Sequence, residues 1–178
     1  MHNAAASIRT AQPAEFDAVY RFYGELVSAQ AQAQYKVKWR MGVYPTAAYL
    51  RSSIEKGELY IALAGDVIAA AMILNHSCSE DFKNGPWQTG AEGKQALIIH
   101  TLGVHPQYER QGYAKALVAH AIGVGRSMGC TAIRLDVIAG HVPALRLYEG
   151  LGFCHVGAFH VVFDETDSSE FELYELPL

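Results

Sequence analysis

Leu102-Gly-Val-His-Pro-Gln-Tyr-Glu-Arg-Gln-Gly-Tyr-Ala-Lys-Ala-Leu-Val118 is the stretch on which the reading of this chain turns. An apolar run ends at Val104, Pro106 breaks it, a short polar loop carries Gly112, and helical spacing begins at once. The first amides of a helix have no partner within it, and the aligned peptide dipoles place about half a positive charge there. Such a junction is suited to phosphate. Gly112 and Ala114 keep bulk away from those amides, while Arg110, Gln111 and Lys115 add donors around them. A plain strand–loop–helix junction has the same pattern, so by itself the stretch leaves both readings open.

Working outward, Gln95 to Val104 reads as a strand and Tyr113 to Met128 as a helix with Ala116, Leu117, His120, Ala121 and Val124 on one side. Ala132 to Ile138 is a further strand, Pro143 to Leu151 a helix closed by Gly152, and Phe153 to Phe163 and Phe171 to Leu176 two final strands. Strand, crossover helix, strand is the unit that builds parallel pairing. Upstream, Ser7 to Thr10 is a short strand, and Pro13 suits a first helical turn. Phe16, Val19, Tyr20, Tyr23, Leu26 and Val27 then share one helical face, and a second helix runs from near Pro45 to Lys56-Gly57. Glu58 to Ala64 and Val67 to Leu74 flank Gly65-Asp66 as a hairpin whose apolar runs indicate strands covered on both faces. Asn75 to Lys94 is polar and rich in turn residues, a length of loop that suits either a functional lid or a disordered segment.

Bulk properties bound the function. At 178 residues, with 51% hydrophobic and 18% charged residues, the chain fits one folded domain with its core from about residue 7 to 178. No apolar run approaches the roughly 18 residues of a membrane helix. The start, Met1 to Thr10, lacks a signal-peptide layout, so a soluble, cytoplasmic protein is expected. A net charge of −4 without a basic face argues against nucleic acid. Cys78, Cys130 and Cys154 form no C-x-x-C pair and the eight histidines show no ligand spacing, so neither a disulfide framework nor a metal is expected.

The quoted junction resembles the coenzyme-binding motif of the GNAT superfamily of acyl-CoA-dependent N-acetyltransferases. That motif reads Q/R-x-x-G-x-G/A after a strand ending V-x-P; here Val104-His105-Pro106 precedes Glu109-Arg110-Gln111-Gly112-Tyr113-Ala114. Glu109 departs from it. A carboxylate repels a diphosphate, so Glu109 is expected to point away, with Arg110 supplying charge instead. A second match lies downstream, where His141-Val-Pro-Ala144-Leu-Arg-Leu-Tyr148-Glu-Gly-Leu-Gly152-Phe153 is similar to the family's N-x-x-A-x-x-L-Y-x-x-L-G-F, with His141 in place of Asn. The family-like element order runs from about Ser7 to Leu178.

The resemblance implies an α/β (α+β) fold, a single-domain, mixed, mostly antiparallel sheet of about seven strands flanked by about four helices. It implies acetyl-CoA as co-substrate, no metal, and transfer of an acetyl group to a primary amine of a small molecule, amino acid or polypeptide. The coenzyme would be held by Leu102, Gly103, Val104, Glu109, Arg110, Gln111, Gly112, Tyr113, Ala114, Lys115, His141 and Ala144. Leu102 and Val104 would pair with the amide-rich arm as an added strand, and Gly103 would permit close approach. A non-catalytic acyl-CoA-binding sensor is the alternative. Assembly stays open, although the C-terminal strands offer two copies a way to pair into a homodimer.

Amine acetylation needs a neutral nucleophile and a protonated leaving thiolate, whereas an alkyl amine with a pKa of about 10.4 is mostly charged at neutral pH. The resemblance assigns general acid to Tyr148; packing against the preceding helical turn is the other use of that ring. His100 is the candidate base, since an ordinary histidine with a pKa of about 6.5 accepts a proton under physiological conditions. The run His100-Thr-Leu-Gly-Val-His105 is similar to a strand of serotonin N-acetyltransferases, where histidines remove protons through water. A buried histidine bonded to backbone fits as well. His105 reads as loop packing. Trp39, Tyr44, Tyr49 and Trp87 are candidate linings of an acceptor pocket, or core; Glu80 and Asp81 could attract a cationic amine, or be a solvated pair.

Overall fold

A computed structural model of the chain describes residues 7–162 and 168–178. The expected strand end at Phe163 lies outside them. The strands are β1 (Ser7–Thr10), β2 (Leu59–Ala64), β3 (Val67–Asn75), β4 (Ala96–Val104), β5 (Ala132–Ile138), β6 (Cys154–Val162) and β7 (Ser168–Pro177), in the sheet order β1-β2-β3-β4-β5-β7-β6. The helices are α1 (Phe16–Ala29), α2 (Ala47–Glu55), α3 (Glu80–Lys83), α4 (Tyr113–Ser127) and α5 (Val142–Glu149). The expected mixed, mostly antiparallel seven-stranded sheet is present. The added helix, α3, falls inside the segment read as loop.

The chain groups into two compact units, and β4 and α4 each run from one into the other. The first contains residues 1–34, 38–74 and 100–120. Its β1, β2 and β3 are antiparallel neighbours, with Gly65 turning the hairpin at φ +63°. Leu59, Ile61, Ala71 and Ile73 pack with Val19, Phe22, Tyr23 and Leu26 of α1 and Leu50 and Ile54 of α2. Tyr60 alternates to the other face, where its ring lies 5.2 Å from that of His120 on α4. Both faces are therefore covered, which is why these strands read as continuous apolar runs. The entry to α1 is fixed by Glu15, which accepts two Arg9 donors at 2.7 Å and the Gln12 amide at 2.8 Å. Hydrogen bonds from Arg9 hold its carboxyl down at about 2. Thr46 caps α2 by accepting from the Tyr49 amide at 3.0 Å.

The second unit contains residues 35–37, 75–99 and 121–178. There β5 pairs antiparallel with β7 from Ala132↔Pro177 to Ile138↔Phe171, and β7 pairs with β6. Residues 79–89 form a strap anchored by a buried acid. Glu175 of β7 is fully buried; it accepts from Arg134 Nε (2.8 Å), Thr89 Oγ1 (2.6 Å) and the amides of Gln88 (2.7 Å) and Thr89 (3.0 Å). Burial pushes the Glu175 carboxyl up, and these hydrogen bonds outweigh it and hold it below its ordinary range. The Arg134 guanidinium lies 4.5 Å from the Trp87 ring centre, and Trp87 donates to the Phe82 carbonyl at 2.9 Å. Phe82 packs with Ile98 and Leu173. A Cβ on Gly157 would sit 2.5 Å from Pro86 Cγ, so that glycine admits the strap. The polar segment is thus neither bare loop nor disorder.

Candidate functional site

In the first unit, the end of β4, a one-turn 3-10 helix at Pro106–Tyr108, the loop 109–112 and the start of α4 follow one another as the sequence suggests. The first bond of α4 runs from the Ala116 amide to the Gly112 carbonyl at 2.9 Å, so the amides of Tyr113, Ala114 and Lys115 precede the helical ladder. Gly112 has φ +89°, with open space where a Cβ would stand; glycine is needed there for its conformation. Arg110 is also left-handed, at φ +60°. Two left-handed residues around Gln111 turn the chain sharply into the helix and leave Glu109, Arg110, Gln111, Gly112 and Lys115 exposed. Exposed backbone with a dipole behind it is an anion site in chemical terms. The side-chain amide of Gln111 donates to the Gln107 carbonyl at 3.0 Å.

His105 holds the loop from the other end. Its Nδ1 accepts from the Gln107 amide (3.3 Å), its Nε2 lies 3.1 Å from Glu25 of α1, and its own amide donates to the Ala69 carbonyl (2.8 Å). Loop packing is therefore its role, as read from the sequence.

Strand β4 is not regular. Among the described residues its parallel register with β5 covers Ala96–Ile98 against Ala132–Arg134. Three residues further, Thr101 takes φ +47°, a left-handed conformation that costs a non-glycine residue about 1–2 kcal/mol. His100, half-buried and with bonded neighbours, stands immediately before this kink, and Leu102, Gly103 and Val104 follow it. The bare Cα of Gly103 has a packing cause. An added Cβ would lie 2.5 Å from Leu26 and 3.4 Å from Trp39, so the missing side chain makes room for these neighbours. Trp39 and Tyr49 pack on this unit's core, and Tyr44 stacks on Tyr49 at 5.7 Å. Trp87 instead serves the strap.

In the second unit, His141 caps α5, its Nδ1 accepting from the Ala144 amide at 3.3 Å, and its ring lies 5.6 Å from that of Tyr35. Tyr148, 6% exposed, sits edge-on to Phe153 at 5.5 Å. Burial raises its phenol well above the ordinary range, and the charge of Asp136 raises it further. The group is consequently protonated at neutral pH. Burial likewise raises Asp136 to about 6. Glu80 and Asp81 form the first turn of α3, where Glu80 meets Lys83 at 3.8 Å. Among the described residues, no group of three or more His, Cys, Asp or Glu gathers in metal-binding geometry.

The family model described as the acetyltransferase (GNAT) family matches residues 26–153, more than half of the chain. The protein belongs to the GNAT family. Among curated relatives, the [ribosomal protein bS18]-alanine N-acetyltransferase of Escherichia coli K12 is 33% identical over 72 residues, covering 40% of this chain and 49% of that enzyme. The match thus spans about half the relative's length. Among solved structures, an N-acetyltransferase from Staphylococcus aureus Mu50 superposes with a TM-score of 0.72 at 14% identity, covering 98% of this chain and 99% of the other. The yncA protein of Salmonella typhimurium, solved with its cofactor acetyl-CoA, gives 0.70 at 16% identity over 98% and 94%.

Within this GNAT chain, sequence reasoning located the loop and the helix start because glycine and proline mark them locally. It missed Thr101, whose backbone angle leaves no compositional trace. It also passed over Asp136, although a carboxylate inside the apolar run Ala132–Ile138 is itself a signal.

Proposed function

We propose that this protein is an acetyl-CoA-dependent N-acetyltransferase acting on a primary amine of a small molecule, an amino acid or a polypeptide. The observation that carries the reading is the start of α4: three amides ahead of the helical ladder, entered through left-handed Arg110 and Gly112. The linked phosphates of the coenzyme are held there by the amides from Gly112 to Lys115, with Arg110 and Lys115 supplying charge and Glu109 turned outward. Leu102, Gly103 and Val104 offer main-chain groups to the pantetheine amides, as an added strand does. His141 and Ala144 border the arm. The amine nitrogen, deprotonated through His100, attacks the thioester carbonyl carbon. The C–N bond forms, the tetrahedral intermediate collapses, the C–S bond breaks, and the thiolate takes the Tyr148 proton.

Its setting follows from the same reading. Free thiols at Cys78, Cys130 and Cys154 suit a reducing cytoplasm, and no described helix is long and apolar enough to cross a membrane. Among the described residues β6 is the last strand of the sheet, which supports a homodimer through the C-terminal strands. Thiol release from acetyl-CoA over a panel of amines, including peptide N-termini, tests the activity. Acetyl transfer to any member supports it; tight coenzyme binding with no transfer across the panel replaces it with a sensor.

A further inference from the structure

Tyr23 on α1 is buried to zero exposure, in a hydrophobic cluster against which Trp39 and Tyr49 also pack. A phenylalanine would fill the same space without a polar atom to satisfy. The hydroxyl donates to the main-chain carbonyl of Thr101 at 3.0 Å and lies 3.3 Å from that residue's Oγ1. Thr101 is the left-handed residue of β4, at φ +47°. Beside it, Trp39 sits edge-on to Tyr23 with ring centres 6.0 Å apart and, with Leu26, fills the room a Gly103 Cβ would need. Helix α1 and its neighbours therefore grip β4 just ahead of Leu102–Val104. A left-handed threonine persists where its surroundings over-determine it, and the contact that does so here is a buried hydrogen bond to the strained residue itself.

We propose that Tyr23 is a positioning residue that locks the left-handed kink at Thr101 and so presents the Leu102–Val104 main chain to the amide arm of acetyl-CoA. This rests on the function proposed above, so wild-type binding is measured first. Acetyl-CoA is titrated calorimetrically into the full chain and its Tyr23→Phe, Thr101→Gly and doubly substituted forms, with folding checked by circular dichroism.

Tyr23→Phe is expected to weaken acetyl-CoA about tenfold and to raise its KM with little change in kcat at saturation. Thr101→Gly, whose left-handed backbone needs no lock, should bind within about threefold of wild type. In that background, Tyr23→Phe should cost little more. Wild-type affinity in Tyr23→Phe, or an equal loss in both backgrounds, overturns the proposal. Should the single variant not fold, the double variant decides: binding supports the lock, and folding without binding refutes it. Failure of the wild-type chain to bind acetyl-CoA would instead strike the functional reading.

Discussion

At the residue scale, the proposed chemistry rests on Tyr148 and His100. Tyr148 is buried and its phenol raised, so it is protonated at neutral pH, and removing the hydroxyl removes the proposed donor while leaving the ring's contact with Phe153. Tyr148→Phe should lower kcat by about a hundredfold, within the range for general acids, with coenzyme affinity nearly unchanged. Stopped-turnover assays and calorimetry check the two halves separately, and unchanged turnover removes the assignment. His100 makes a different demand. Substituting glutamine should abolish the acidic limb of the pH–rate profile of kcat/KM; a variant that keeps that limb shows another group accepting the amine proton. Both residues are proposed from motif and strand position. Tyr23 was legible only as one of six residues on an apolar helical face, because its partner Thr101 is 78 positions away in sequence.

At the element scale, local signals read well and long-range ones did not. β1 and β5 begin and end where alternation and turn residues predict, and Gly65, Gly112 and Gly152 all have positive φ at the turns they mark. The segment 75–94 is the counter-case. Its own residues are polar and turn-rich, and its order comes from Glu175 on β7 and Arg134 on β5, both remote in sequence. Glu175→Gln leaves the Arg134 guanidinium buried beside a neutral partner, a loss of about 3 kcal/mol to be measured by urea unfolding. Amide exchange at Gln88 and Thr89 should rise in the same variant. Because the folded-state carboxyl lies below its ordinary range, the contribution is present at neutral pH and is lost as pH falls through that lowered value. An unaltered exchange pattern would mean that Trp87 and Pro86 alone hold the strap.

At the scale of the whole molecule, each of the two compact units has its own buried hydrophobic cluster. In the second unit, stability should register the carboxyl of Asp136 on β5 directly. Asp136 sits at about 6 against an ordinary 3.8, so the folded state holds its proton more tightly than the unfolded chain does. Stability contributed by this group is full below about pH 4 and declines by about 3 kcal/mol as pH rises through 6. Asp136→Asn should flatten that decline in urea unfolding midpoints measured from pH 4 to 7, and an identical slope in the variant would show that the carboxyl is not desolvated. The proposed coenzyme site is the main chain at the start of α4, shaped by backbone conformation more than by side chains. Calorimetric titration of acetyl-CoA into the wild-type chain and into Gly112→Val tests it most directly. Saturable binding by wild type, weakened at least tenfold in a variant of the same circular dichroism spectrum, is the predicted result; no heat of binding from a folded wild-type chain, or equal affinity in both, would contradict it.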